Sequence, residues 1–150
     1  MLSLLSVFDE LKIPNAVWQE TVGKSRIPKE AFLSLPNLKR VTLPTDAAAI
    51  FVLEKKLVNI HLGEAECLFW CAKEGIALIL TDDLSVRDAA KALNIKPVGS
   101  LGIVVRAFRD NKITLDIARK TLYELYRNST LFVSWTIVEM AIEQLESKKK

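Results

Sequence analysis

"LILTDDLSVRDAAK", residues 78–91, joins an apolar run to two adjacent carboxylates, Asp82 and Asp83, and then to a stretch of helical spacing. Ile76 to Leu80 lacks polar alternation, the pattern of a parallel strand covered on both faces. Ser85 and Asp88 have capping-box-like spacing for a helix through Leu93, and Lys96 to Val98 makes another short strand. Upstream, Gly63 precedes a helix predicted over Glu64 to Lys73, apolar nearly all round and ended by Gly75. Before it come a β-prone run at Arg40 to Leu43 and a helix from an N-cap at Thr45 through Val58, closed by Asn59.

The chain begins with an apolar Leu2 to Phe8, read as a helix end or a short strand. A helix-like Asn15 to Val22 follows Pro14, and a polar loop runs from Gly23 to Asn37. Downstream, Ser100 is expected to cap Leu101 to Arg109, with Leu101, Val104, Val105 and Phe108 in one stripe. Thr114 is expected to cap a helix carrying Leu115, Ala118, Leu122 and Leu125. A brief strand at Leu131 to Val133 then leads to a terminal helix capped by Ser134, with Trp135, Val138, Ile142 and Leu145 inward. Short apolar strands alternating with helices predict an α/β fold of three α/β/α layers around a central parallel sheet.

The 150 residues suit one domain, expected over 1–147 with a basic tail at 148–150. The net charge of +3 is carried entirely by Lys148, Lys149 and Lys150, so the body is neutral, which argues against a broad cationic face for nucleic acid. Half the residues are hydrophobic and mean hydropathy is +0.20, which points to a covered sheet, an apolar oligomer interface, or both. The longest apolar run, Ala47 to Leu53, is too short to span a bilayer, so a soluble cytoplasmic protein is expected. Cys67 and Cys71 share one helix and read as core thiols. His61 is the single histidine, which weakens both a zinc site and a Ser-His or Cys-His nucleophile.

In open parallel sheets ligands collect beyond the carboxyl ends of the strands. Asp82 and Asp83 lie at such an end, Glu64 opens a helix directly after a glycine, and Glu20 ends the first predicted helix. Carboxylates in one crevice repel unless a cation neutralises them, and hard oxygen ligands favour Mg²⁺ or Mn²⁺, the chemistry of nucleases that work without histidine. The alternative is that a strand-end Asp simply caps the next helix. Asp88 reads as a capping residue, and Glu66 is expected to point elsewhere.

"HLGEAECLFWCAKEGIALILTDDLSVRDAAKALNIKPVGSLGIVVRAFRDNKI", residues 61–113, closely resembles the C-terminal half of PIN-domain proteins, in the prokaryotic branch with a GEAE helix, a TDD strand end and a GSLG turn. "KIPNAVWQE", residues 12–20, is similar to that branch's IP-x-x-V-x-x-E segment, and "FVSWTIVEMAIEQL", residues 132–145, to its last helix. The resemblance implies that Glu20, Glu64 and Asp83 are the catalytic acids, with Asp82 a helper at the metal. It implies that Arg87 pairs with an acid or a phosphate, or serves a structural pairing, and that Ser100 offers its hydroxyl and amide at the rim. It further implies a Mg²⁺- or Mn²⁺-dependent ribonuclease acting on single-stranded RNA, a toxin held by an antitoxin protein, and a homodimer.

The family's pattern also opens with a buried central strand ending in a first Asp, and neither is found here. Asp9 stands too close to Glu20 to replace it, because the interval cannot hold a helix and a strand. The fold is therefore expected to be N-terminally truncated, with three repairs open: residues upstream, recruitment of Leu2 to Phe8 as a strand, or completion by a partner chain. The implied activity is weakened or absent if the site needs the first acid. A non-catalytic PIN-fold protein for dimerisation or partner binding is the other reading. A phosphoryl-transfer domain with a strand-end Asp nucleophile lacks the lysine and hydroxyl residues it would need.

Overall fold

The computed structural model describes residues 2–128 and 135–149, which divide into two compact units: residues 8–98, and residues up to 7 together with 99 onward. In the first, β1 (Leu11–Pro14) runs into α1 (Asn15–Trp18) and a π-helical turn, Gln19–Gly23. Then come α2 (Lys29–Leu33), β2 (Leu38–Val41), α3 (Ala47–Glu54), α4 (Leu62–Glu74), β3 (Leu78–Leu80), α5 (Leu84–Ala92) and β4 (Lys96–Val98). The second contains a 3₁₀ helix, Leu2–Val7, followed by α6 (Ser100–Arg109), α7 (Leu115–Asn128) and α8 (Trp135–Lys149).

Among the described residues all strand pairing is parallel, as the uniformly apolar β3 predicts, with Ile79 opposite Pro97 and Ile13 opposite Arg40. The expected single central sheet is not what the described residues form. They form two separate two-stranded sheets, β1 with β2 and β3 with β4. Short strands explain part of this: three or four residues make few ladder bonds, so α4, which packs against both β1 and β3, ties the two ribbons together instead. Nor is Leu2 to Phe8 recruited as a strand; it winds into the 3₁₀ helix against α6.

Leu68 of α4 is fully buried among Phe51, Cys71, Ile79, Val86, Ala90 and Ile95, so α3, α4, β3 and α5 share one core. Helix α4 ends where Gly75 turns left-handed at φ 67°, as its position in the sequence implies. Around α1, Trp18 stacks near Phe32 at 5.8 Å, and Arg40 lies 4.8 Å over the Trp18 ring, joining α1, α2 and β2.

In the other unit, α6, α7 and α8 pack pairwise, with Val104, Ala118, Leu122, Val138 and Leu145 fully buried. The stripes predicted for α7 and α8 thus face inward, with one exception. Trp135 remains 37 % exposed and lies against Tyr123 and Tyr126 at 5.4 and 5.1 Å. Thr114 caps α7 as expected, its Oγ1 accepting from the Ile117 amide at 3.2 Å. The predicted strand at 131–133 and the cap at Ser134 lie outside the described residues.

Other helix ends differ from the sequence reading. Asp46, in the left-handed region at φ 62°, precedes α3 in place of Thr45, and α3 stops at Glu54 because Lys56 also turns left-handed. Gly99 holds the N-cap position of α6, so Ser100 is its first helical residue rather than its cap. No helix among the described residues is long and apolar enough to cross a membrane.

Candidate functional site

Helix α4 starts two residues earlier than its sequence implies, at Leu62, so Gly63 sits buried inside the first turn instead of preceding it. Glu64 reaches back and accepts a hydrogen bond from the His61 amide at 2.9 Å, satisfying a donor that the helix itself leaves orphaned. The α1 segment delivers Glu20 to the same place. Its carboxylate lies over Gly63 so closely that a Cβ built there would meet Oε2 at 2.9 Å and Oε1 at 3.0 Å. Glu20 and Glu64, remote in sequence, therefore flank one turn of α4.

Two local features aim Glu20. It sits in the π-helical turn, where one extra residue per turn rotates the side chains that follow, a distortion frequent at functional sites. The Thr21 hydroxyl steadies that turn by donating to the Val17 carbonyl at 2.8 Å. Glu66, expected to point elsewhere, accepts from the Ala16 amide at 2.9 Å across fifty positions of sequence. It anchors the start of the segment that carries Glu20, a role that no local sequence signal reveals.

The charges converge on Cys67, which is half-buried one turn further along α4. Burial pushes its thiol up to about 12, with Cys71 and the negative charges of Glu66, Glu20 and Glu64 adding to the shift. Burial likewise lifts Cys71 to about 11. Both thiols are thus inert core groups. At pH 8 a thiol at about 12 is roughly 10⁻⁴ thiolate, against about a tenth for an ordinary one at 9.0. Alkylation of Cys67 by iodoacetamide, followed by mass spectrometry, is expected to run about a thousandfold slower in native protein than in urea. Equal rates would contradict the assignment. Because the folded value is raised, this group's contribution to stability is complete below the usual thiol value of 9.0 and is lost as pH climbs towards 12.

At the end of β3 the two aspartates are exposed. Asp83, and not Ser85 with Asp88, is the N-cap of α5: its Oδ1 accepts from the Val86 amide at 3.0 Å, while its own amide donates to Thr81 Oγ1 at 3.1 Å. Asp88 lies within α5 on its exposed side. Arg87 turns back along the helix, donating from Nη1 to the Thr81 carbonyl at 3.3 Å, which holds the guanidinium at the strand end beside the aspartates. Ser100 opens α6 in the other unit.

The Glu20 carboxylate lies at Gly63 and Glu64 is the next residue of the same helix start. Their donor set is all oxygen, and in that chemistry it fits Mg²⁺ or Mn²⁺. Asp83 is not drawn into the pair. Among the described residues no three His, Cys, Asp or Glu side chains stand close enough to hold an ion together, with Glu64 and Asp83 both turned to backbone amides.

A family model described as a PIN domain matches residues 1–147. No curated protein and no solved structure matches the chain. A match over nearly the whole length, on an α/β chain of parallel strands, makes this chain a member of the PIN-domain family.

Proposed function

We propose that residues 1–147 act as one PIN domain with metal-dependent endoribonuclease activity on single-stranded RNA. Glu20, Glu64 and Asp83, with Asp82 beside it, would hold Mg²⁺ or Mn²⁺. The observation that carries this reading is the Glu20 carboxylate lying over Gly63, the residue next to Glu64, which brings acids from separate segments to the start of one helix. A bound divalent ion supplies Lewis-acid chemistry for phosphodiester hydrolysis. The chain's own part is orientation: Glu66 and the π-turn aim Glu20, the α4 start holds Glu64, and α5 holds Asp83. Arg87, tethered at the β3 end, and Ser100 are the proposed contacts to the RNA backbone. A toxin role under a partner antitoxin, a cytoplasmic site of action and a homodimer belong to the same proposal. Exposed Trp135, Tyr126 and Met140 are consistent with a protein-covered surface.

Cleavage of single-stranded RNA with Mn²⁺, and its loss in EDTA, tests this. Asp83→Asn separates the two roles of that residue. Asn caps a helix about as well as Asp, so stability is expected to change by only a few tenths of a kcal/mol, whereas Asp83→Ala costs about 1 kcal/mol. Both are expected to abolish cleavage. An active Asp83→Asn variant, or wild-type protein that neither cleaves nor binds Mn²⁺, overturns the proposal.

One observation favours a second reading, a non-catalytic PIN-fold protein that binds partners. The described strands form two ribbons, which leaves one ladder edge of β1 and one of β3 outside those pairings. Absence of cleavage together with a stable dimer would support it.

A further inference from the structure

Gly63 breaks an ordinary preference. Alanine is favoured over glycine within a helix, and Gly63 lies in a helical turn with no left-handed backbone to require it. What lies against it supplies the reason. The three atoms nearest to a Cβ built there all belong to the Glu20 carboxyl group: Oε2 at 2.9 Å, Oε1 at 3.0 Å and Cδ at 3.1 Å. The space that a side chain would fill is the space the carboxylate occupies.

These contacts are with the far end of a flexible side chain, so an alanine would displace the carboxylate more easily than it would disturb the backbone. Glu20 has somewhere to go, because its residue is only half-buried. The Ala16 to Glu66 hydrogen bond would still hold the base of the segment in place. The effect of a methyl group at residue 63 is thus confined to where Glu20 puts its charge.

Resting on the metal-binding reading above, we infer that Gly63 is a positioning residue, whose missing side chain forms the recess that seats the Glu20 carboxylate beside Glu64. It touches no substrate itself and acts through Glu20 alone.

The test is Mn²⁺ titration calorimetry on the full chain, with thermal unfolding measured in the absence of metal. Gly63→Ala is expected to weaken Mn²⁺ binding about tenfold or more, as Glu20→Gln does, while the unfolding midpoint stays level or rises. Gly63→Ala combined with Glu20→Gln is expected to bind no more weakly than Glu20→Gln alone, since both changes remove the same contact. Wild-type affinity in Gly63→Ala beside a weakened Glu20→Gln overturns the role of Gly63 and leaves the metal site standing. Wild-type protein that binds no Mn²⁺ overturns both. Should Gly63→Ala fail to fold, adding Glu20→Ala removes the colliding atoms and is expected to restore folding. If it does not, the collision is not with Glu20 and the inference falls.

Discussion

Leu68→Ala is expected to destabilise the protein by about 3 kcal/mol, within the 2–5 kcal/mol range typical of truncating a fully buried leucine. Leu68 is wholly inaccessible and stands at the centre of the core shared by α3, α4, β3 and α5, so the lost methyl groups leave a cavity walled on several sides. Its neighbours are poorly placed to collapse inward, because Val86 and Ala90 belong to α5, whose start is held by the Asp83 cap. Against a total stability of about 5–15 kcal/mol, such a loss removes a large fraction. The unfolding midpoint is expected to fall by roughly 10 °C for a chain of this size. Leu62→Ala, on the same helix at a side chain 59 % exposed, is the control and is expected to stay within about 0.5 kcal/mol. Urea unfolding followed by circular dichroism measures both, and equal effects would contradict this placement of the core.

Glu64→Gln is expected to lower Mn²⁺-dependent RNA cleavage by about 100-fold or more while leaving the fold intact. The distinction rests on what the carboxylate does. As a cap it needs only an acceptor oxygen for the His61 amide, and a glutamine carbonyl supplies one, as capping boxes with either residue demonstrate. As the proposed ion ligand at the α4 start it needs its negative charge, which the amide lacks. Stability is therefore expected to move by no more than about 0.5 kcal/mol. Glu74→Gln, exposed at the far end of α4, is the control for charge removed elsewhere on the helix. Single-turnover cleavage of an unstructured RNA, paired with thermal unfolding, separates the two roles. Undiminished cleavage by Glu64→Gln would remove that residue from the site.

If Glu64 and Asp83 act together on an ion, each also serves a backbone amide, Glu64 through Oε2 and Asp83 through Oδ1, which leaves the second oxygen of each carboxylate for the ion. Even a full exchange of amide for ion is favourable in energy. A cap is worth about 1 kcal/mol, and a divalent ion offers a carboxylate a far larger charge than an amide does. Glu20 faces no such exchange with a cap: its carboxylate lies over the one α4 residue that has no side chain.

Much of this was legible from residue order. Gly75 ends α4, Thr114 caps α7, β4 spans Lys96–Val98, and Ala118, Leu122, Val138 and Leu145 face inward, because each depends on neighbours within one or two turns. The parallel pairing of β3 followed from its uniform apolarity. Caps chosen among adjacent candidates were less legible: Asp83 over Ser85 and Gly99 over Ser100 turn on one or two residues of backbone conformation, which composition does not specify.

Sequence by itself determined the alternation of short strands and helices, the acidic strand end at Asp82 and Asp83, and the PIN-domain family that the family match upholds. Only the tertiary structure decided that the strands pair as two ribbons, that Glu66 serves a distant amide, and that Glu20 rests in the recess at Gly63. The physical reason is range. Helix starts and apolar stripes are set by contacts three or four residues apart, whereas strand partners and the seat of a carboxylate are set by which surfaces remain free once the helices have packed.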